Sequence, residues 1–344
     1  MKKYISTLVF ALGTLLLAAQ RPAVEILTKG TRTSLRGLSV VNDNVIWVSG
    51  SNGTVGRSSN GGKTWKWMLV KGFEKNDFRD IEAFDANSAI IMAVADPAYI
   101  LRTSDGGDSW TVVYENKQKG MFLDAMDFAT PYLGMVIGDP VDGKIFIART
   151  QDGGNTWREL PRDSNTVVPD SGEAFFASSG TNVRVFANGD YFIASGGRRS
   201  RLFRNNTPSD LAVMQGKEST GANSVDIYDN GIPDKPGERM VVVGGDFAAD
   251  SLTTGNCVYT VNGGKTWHAP KVPPHGYRSC VEYLSKKDLL ACGINGVDHS
   301  GDGGKTWTWI SKEGFNACRI ARIGSSIFLV GSNGKIGRIK WTDK

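Results

Sequence analysis

The stretch TSDGGDSW at residues 103–110 decides the fold, because the chain repeats it. SSNGGKTW (58–65), TQDGGNTW (150–157), TVNGGKTW (260–267) and SGDGGKTW (300–307) share its form, Ser/Thr-x-Asp/Asn-x-Gly-x-Ser/Thr-Trp. An Asp or Asn here can bond backbone amides of the turn it begins, and the glycines accept the positive φ that such a turn needs. The Trp then opens the next strand, with a ring large enough to pack between neighbouring sheets. Asn60, Asp105, Asp152, Asn262 and Asp302 therefore read as structural turn residues, and Trp65, Trp110, Trp157, Trp267 and Trp307 as their packing partners. Repetition of this kind has to be read before any other fold signal.

The five Trp residues follow one another at intervals of 45, 47, 110 and 40 residues, so the long interval holds two units, one of which has lost its clip. In that unit Arg201, Leu202, Phe203 and Arg204 align with Tyr99, Ile100, Leu101 and Arg102, and its turn is expected to be looser. A further unit emerges when VSGSNGTVGR (48–57) is laid on LVGSNGKIGR (329–338). That last unit stops after its third strand, and AVEILT at 23–28 is placed to supply the fourth, pairing an edge that would otherwise be open. The predicted fold is all-β, a single seven-bladed β-propeller closed by an N-terminal strand. Its blades run near 34–69, 78–114, 121–160, 172–214, 222–270, 275–310 and 315–342.

Met1, Lys2 and Lys3 followed by an apolar run over 8–19 read as a signal peptide, residues 1–19, which leaves 20–344 as the propeller. The run is short for a stable membrane anchor, so the expected location is periplasmic or extracellular. Lys and Arg total 40 against 35 Asp and Glu, a net charge of +5 without a basic tail, which argues against nucleic acid as a partner. His268, His275 and His299 lie on separate turns, and Cys257, Cys280, Cys292 and Cys318 include no CxxC pair, so neither metal nor cofactor is expected. The cysteines read as buried small residues, or as thiols that an exported protein could oxidise. A monomer is expected.

The clips resemble the BNR or Asp-box repeats of sialidases, two-propeller xyloglucanases, sortilin-type receptors and the photosystem II stability/assembly factor family. For the last of these the resemblance extends over nearly the whole mature chain, and it implies a scaffold or assembly role. The sialidase comparison lacks a residue basis. Those enzymes carry an Arg in an F/Y-R-I-P element, and Ser34-Leu35-Arg36-Gly37 and Asp77-Phe78-Arg79-Asp80 both depart from it.

Inner strands of a propeller line its channel. Aligning their beginnings brings Arg36, Arg79 and Arg278 to one position, with Asp80, Asp124 and Glu173 at the next. One reading is a pocket in which the arginines hold an anion by paired hydrogen bonds. The other is a set of salt bridges that satisfies the channel wall. Tyr277 beside Arg278 invites comparison with a sialidase nucleophile, and Arg198, Arg199, Arg201 and Arg204 form either a basic partner surface or a solvated face. Residues 226–234 only loosely resemble a calcium loop. The function expected is a non-catalytic binding or assembly scaffold for a protein or an anionic or glycan ligand at the channel face. The alternative is a sialidase-like hydrolase.

Overall fold

The computed structural model describes residues 21–29, 31–161, 168–229 and 237–342. The proposed signal peptide and part of 226–234 therefore lie outside the described residues. Seven antiparallel sheets form the ring. Blade 1 consists of Leu35–Val40, Ile46–Gly50, Thr54–Ser58 and Lys66–Leu69, and blades 2, 3 and 6 repeat this order with inner strands Phe78–Ala83, Leu123–Phe128 and Cys280–Tyr283. Blade 5 opens with Thr220–Tyr228. In blade 7, Arg21–Lys29 lies antiparallel to Lys335–Thr342 as the outer strand, the closure expected from the sequence. Glu25 reinforces that pairing with ion pairs to Arg338 at 2.9 Å and Lys340 at 2.6 Å.

Each sheet is covered on both faces by its neighbours, so most of the second strands are buried from end to end. Ile46–Gly50, Ala89–Ala93, Leu289–Gly293 and Ile327–Val330 show no exposed position. The core is correspondingly divided into clusters between blades. One contains Trp47, Phe78, Ile81, Ile91 and Leu101, with Trp110 meeting Trp47 edge-on at 6.4 Å.

The clips work as their chemistry requires. Thr103 Oγ1 donates to Asp105 at 2.8 Å and accepts from Gly107 N at 3.0 Å, while Asp105 accepts from Ser109 N at 3.0 Å and Ser109 Oγ at 2.6 Å. With Asn the same turn forms with the side-chain proton reversed, since Asn60 Nδ2 donates to Thr64 Oγ1 at 2.8 Å. Gly107 is needed twice over. Its φ is 86°, and a Cβ there would come within 2.7 Å of Met68 Sδ in the preceding blade.

Blade 4 differs from expectation. Its strands are Val183–Val185, Tyr191–Ala194, Arg201–Arg204 and Thr207–Asp210, so the segment near 172 is not its inner strand. Its clipless turn is tight, with only Asn205 and Asn206 between paired Arg204 and Thr207. Asn205 takes φ 52°, accepts from Tyr191 N at 2.9 Å and donates to Asp190 at 3.0 Å, which replaces the clip by one amide side chain.

Candidate binding cleft at the channel mouth

Register shifts at Leu35/Gly37, Phe78/Asp80, Leu123/Ala125 and Ala222/Ser224 place a bulge at the start of four inner strands. A bulge inserts one residue and re-aims its side chain. The inserted residues are Arg36, Arg79, Asp124 and Asn223. Arg36 and Arg79 thereby meet in one cleft of about 530 Å³, whose wall includes Phe122, Phe176, Phe247 and Tyr277. Phe176 meets Phe247 edge-on at 5.9 Å, and Phe247 meets Tyr277 at 6.3 Å. Phe247 and Ile294 leave 45% and 49% of their surface at this mouth open to solvent. A second depression of about 560 Å³, lined by Asp77, Asp96 and Tyr99, shares Arg79 and Phe122 with this cleft.

The arginines differ in their partners. Arg79 bonds Asp77 at 2.7 Å and lies over the Phe122 ring at 5.6 Å. Arg36 donates to the Ser178 carbonyl at 3.2 Å, and among the described residues it makes no ion pair. Burial, and next the charge of Arg79, push the Arg36 guanidinium below its ordinary range. Such a cation gains from an incoming anion.

Arg278 does not join them. Gly293 packs against Tyr277 O and the Arg278 Cα as Gly50 packs against Ser34 O and the Leu35 Cα. Arg278 thus occupies the register of Leu35, one residue before the bulge position, and is wholly buried. Its Nε and Nη2 fork onto Asp298, the former at 2.7 Å, and its remaining donors go to Asn295, Tyr277 O and His275 O. Ser279 takes the place in the cleft wall expected for Arg278.

The three carboxylates also separate. Asp80 is buried and accepts from Ile81 N at 2.9 Å and from Met126 N of the next blade at 2.8 Å. Burial, then the charge of Glu82, raise it well above the usual carboxylate range. Asp124 is fully buried, neither of its carboxylate oxygens meets a hydrogen-bond donor at bonding geometry among the described residues, and burial, then the Asp139 charge, raise it likewise. Glu173 lies in Glu173–Ala174, a short strand outside the inner ring that pairs with Gly196–Gly197. It bonds Ser195 and is forked by Arg201, with Nε at 3.0 Å. This anchors the segment before blade 4, whose residues 174–178 then run along the cleft. An insertion there, rather than an early strand, is the reason that alignment misplaced Glu173.

The other arginines of that region are engaged as well. Arg199 pairs with Asp170 and Asp210, Arg204 with Asp190 at 3.3 Å, and Arg198 with Glu218 at 3.7 Å. Tyr277 is buried, donates to Asn223 Oδ1 at 2.8 Å and is pushed up to about 12, foremost by burial.

Sequence reasoning missed a second charged layer three residues further along the inner strands. Ser39, Glu82, Asp127, Arg184, Asp226, Glu282 and Arg319 line a smaller cavity of about 240 Å³ together with Arg322. Arg184 bonds Asp226 at 3.0 Å and reaches Glu282 at 3.5 Å and Asp127 at 3.8 Å. The carboxylates also stitch blades: Asp127 accepts from Val185 N at 2.6 Å, Asp226 from Tyr283 N at 2.5 Å and Glu282 from Ile320 N at 3.3 Å. The signal was present in the sequence as charge recurring three residues past three of the four bulge positions, at Glu82, Asp127 and Asp226.

A solved structure described as YCF48 bound to D1 peptide superimposes with a TM-score of 0.64 at 18% identity, covering 92% of this chain and 96% of that one. YCF48 from Cyanidioschyzon merolae gives 0.66 at 19% identity, covering 92% and 98%. The WD40 β-propeller domain of Doa1 gives 0.59 at 12%, covering 92% and 97%, so the ring itself is shared more widely. No curated protein matches the sequence. The family model for the photosynthesis system II assembly factor YCF48 matches residues 20–199. That match spans more than half of the 344 residues, and the chain belongs to the YCF48 family.

Proposed function

We propose that this protein is a non-catalytic assembly scaffold that holds an extended, acidic segment of a partner protein across the channel mouth. The observation that carries the reading is the cleft in which Arg36, without an ion-pair partner among the described residues, sits beside Arg79 and between aromatic walls. Two guanidinium groups suit a carboxylate, and the apolar walls suit the side chains on either side of it. Two depressions that share Arg79 and Phe122 suit successive residues of a chain better than one compact ligand. That a YCF48 structure is described as bound to a D1 peptide supports a peptide occupant.

Two of the carboxyls that a hydrolase would need are engaged elsewhere, since Asp80 stitches two blades and Glu173 is forked by Arg201, and the third, Asp124, is fully buried away from solvent. Export through residues 1–19 belongs to the same proposal, and the N-terminal mass of the protein recovered from its native envelope tests it. Binding is tested by fluorescence anisotropy with an acidic peptide bearing a free carboxylate. Arg79→Met is expected to weaken it about tenfold or more, the loss of a charge-assisted pair, and salt should weaken it further. Equal affinity for the peptide and its amidated, neutral counterpart would overturn the reading.

A further inference from the structure

Three cysteines that are far apart in sequence converge at the seam between blades 6 and 7. Cys280 and Cys292 are paired on the first two strands of blade 6, and Cys318 lies on the inner strand of blade 7. All three are fully buried, and their sulfur atoms lie within 4.8 Å of one another, with Cys280 and Cys318 at 3.7 Å. Cys257 belongs to a different core cluster.

Nothing in the blade architecture calls for sulfur at these positions. The pair equivalent to Cys280 and Cys292 is Gly37 and Ser49 in blade 1, Ala125 and Ile137 in blade 3, and Ser224 and Val243 in blade 5. The position of Cys318 is held elsewhere by Leu38, Ile81, Met126, Val225 and Val281. A smaller side chain in blade 7 leaves room for the other two sulfurs. Cys280 Sγ receives Cys318 N and Arg319 Nη1, both at 3.4 Å, and as a thiol donates to Cys318 O at 3.4 Å, so the two N–H donors support the anion once a cation takes the place of that proton.

We propose that Cys280, Cys292 and Cys318 form a three-coordinate site for a soft monovalent cation of the copper(I) class. A metal–sulfur bond of about 2.3 Å sets the sulfurs of a planar trigonal site roughly 4 Å apart, which falls within the spacing found here. Thiolate donors select copper(I), zinc and iron–sulfur centres. A structural zinc ion takes four ligands, and the cluster offers three. Binding releases thiol protons to solvent and changes no oxidation state. Arg319 offsets part of the negative charge that the ligands then carry. Because the site joins the blade that closes the ring to its neighbour, occupancy ties two sheets together, and metal affinity becomes stability of the closed ring.

The test uses the reduced mature chain under anaerobic conditions, with copper(I) supplied as its acetonitrile complex either to the folded protein or during refolding. One equivalent is expected to survive challenge by a bicinchoninate chelator, with sulfur-to-copper absorption in the ultraviolet and a raised Tm. Cys318→Val restores a residue used by the other blades and should fold, yet weaken retention by at least about 100-fold. Cys257→Ser should retain copper as the parent does. Failure to retain copper after either loading, equal retention by Cys318→Val, or a mass two hydrogens light that marks a disulfide in place of the thiols would overturn the assignment.

Discussion

The mouth of the channel and its far end are built from the same inner strands, three residues apart, yet they treat charge in opposite ways. At the far end Arg184 is shared among Asp226, Glu282 and Asp127, and the carboxylates accept amides from adjoining blades. At the mouth Arg36 leans on a single carbonyl, and the walls around it are aromatic. The bulges of blades 1 and 2 contribute to the contrast. There the inserted residue is a long arginine that reaches the cleft, whereas the inserted Asp124 and Asn223 are buried, and the residues within the ladder face the amides of the next blade and are consumed by them.

If that division holds, Arg184→Ala should have the largest effect. It leaves the buried Asp226 and the partly buried Asp127 without the cation they share, a loss of about 3 kcal/mol, to be read by chemical denaturation. Peptide binding by the folded fraction should not change. An Arg184→Ala variant as stable as the parent would break the comparison from the structural side.

A second prediction concerns pH. Burial, followed by the charge of Asp226, pushes Glu282 up to about 8, above its unfolded range near ~4.3. The folded state therefore keeps a proton that the unfolded chain loses, and stability from this group is full below the unfolded pKa and declines as pH rises towards 8. Glu282→Gln should flatten the fall in Tm between these limits. An unchanged slope would place the titration elsewhere.

The smallest stability effect is expected at the mouth. Arg36→Met keeps the stem that packs in the cleft and removes a cation without an ion pair among the described residues, so its unfolding free energy should stay within about 1 kcal/mol of the parent. A loss as large as that of Arg184→Ala would make Arg36 another stitch and erase the distinction.

How much of this was legible in the sequence follows from what repeats and what does not. The clips, the count of seven and the closing strand were legible because each is written several times, or is demanded by an unpaired edge. Arg36 and Arg79 were legible for the same reason. Arg278 was matched to them by residue type, while the position that matters is set by which residue faces the glycine of the second strand, here Gly293, and that moves it one place into the core. Glu173 was lost to an insertion whose strand pairs outside its own blade. The sulfur cluster could not be read at all, since its members come from two sheets and have no characteristic spacing.

Hydrogen exchange measured by mass spectrometry, with and without an acidic peptide, tests the division of the channel most directly. Protection is expected in the segments carrying Arg36, Arg79, residues 174–178 and Tyr277, with exchange unchanged around Arg184, Asp226 and Glu282. Protection centred on those far-end residues, or absent from the mouth under saturating peptide, would contradict the account.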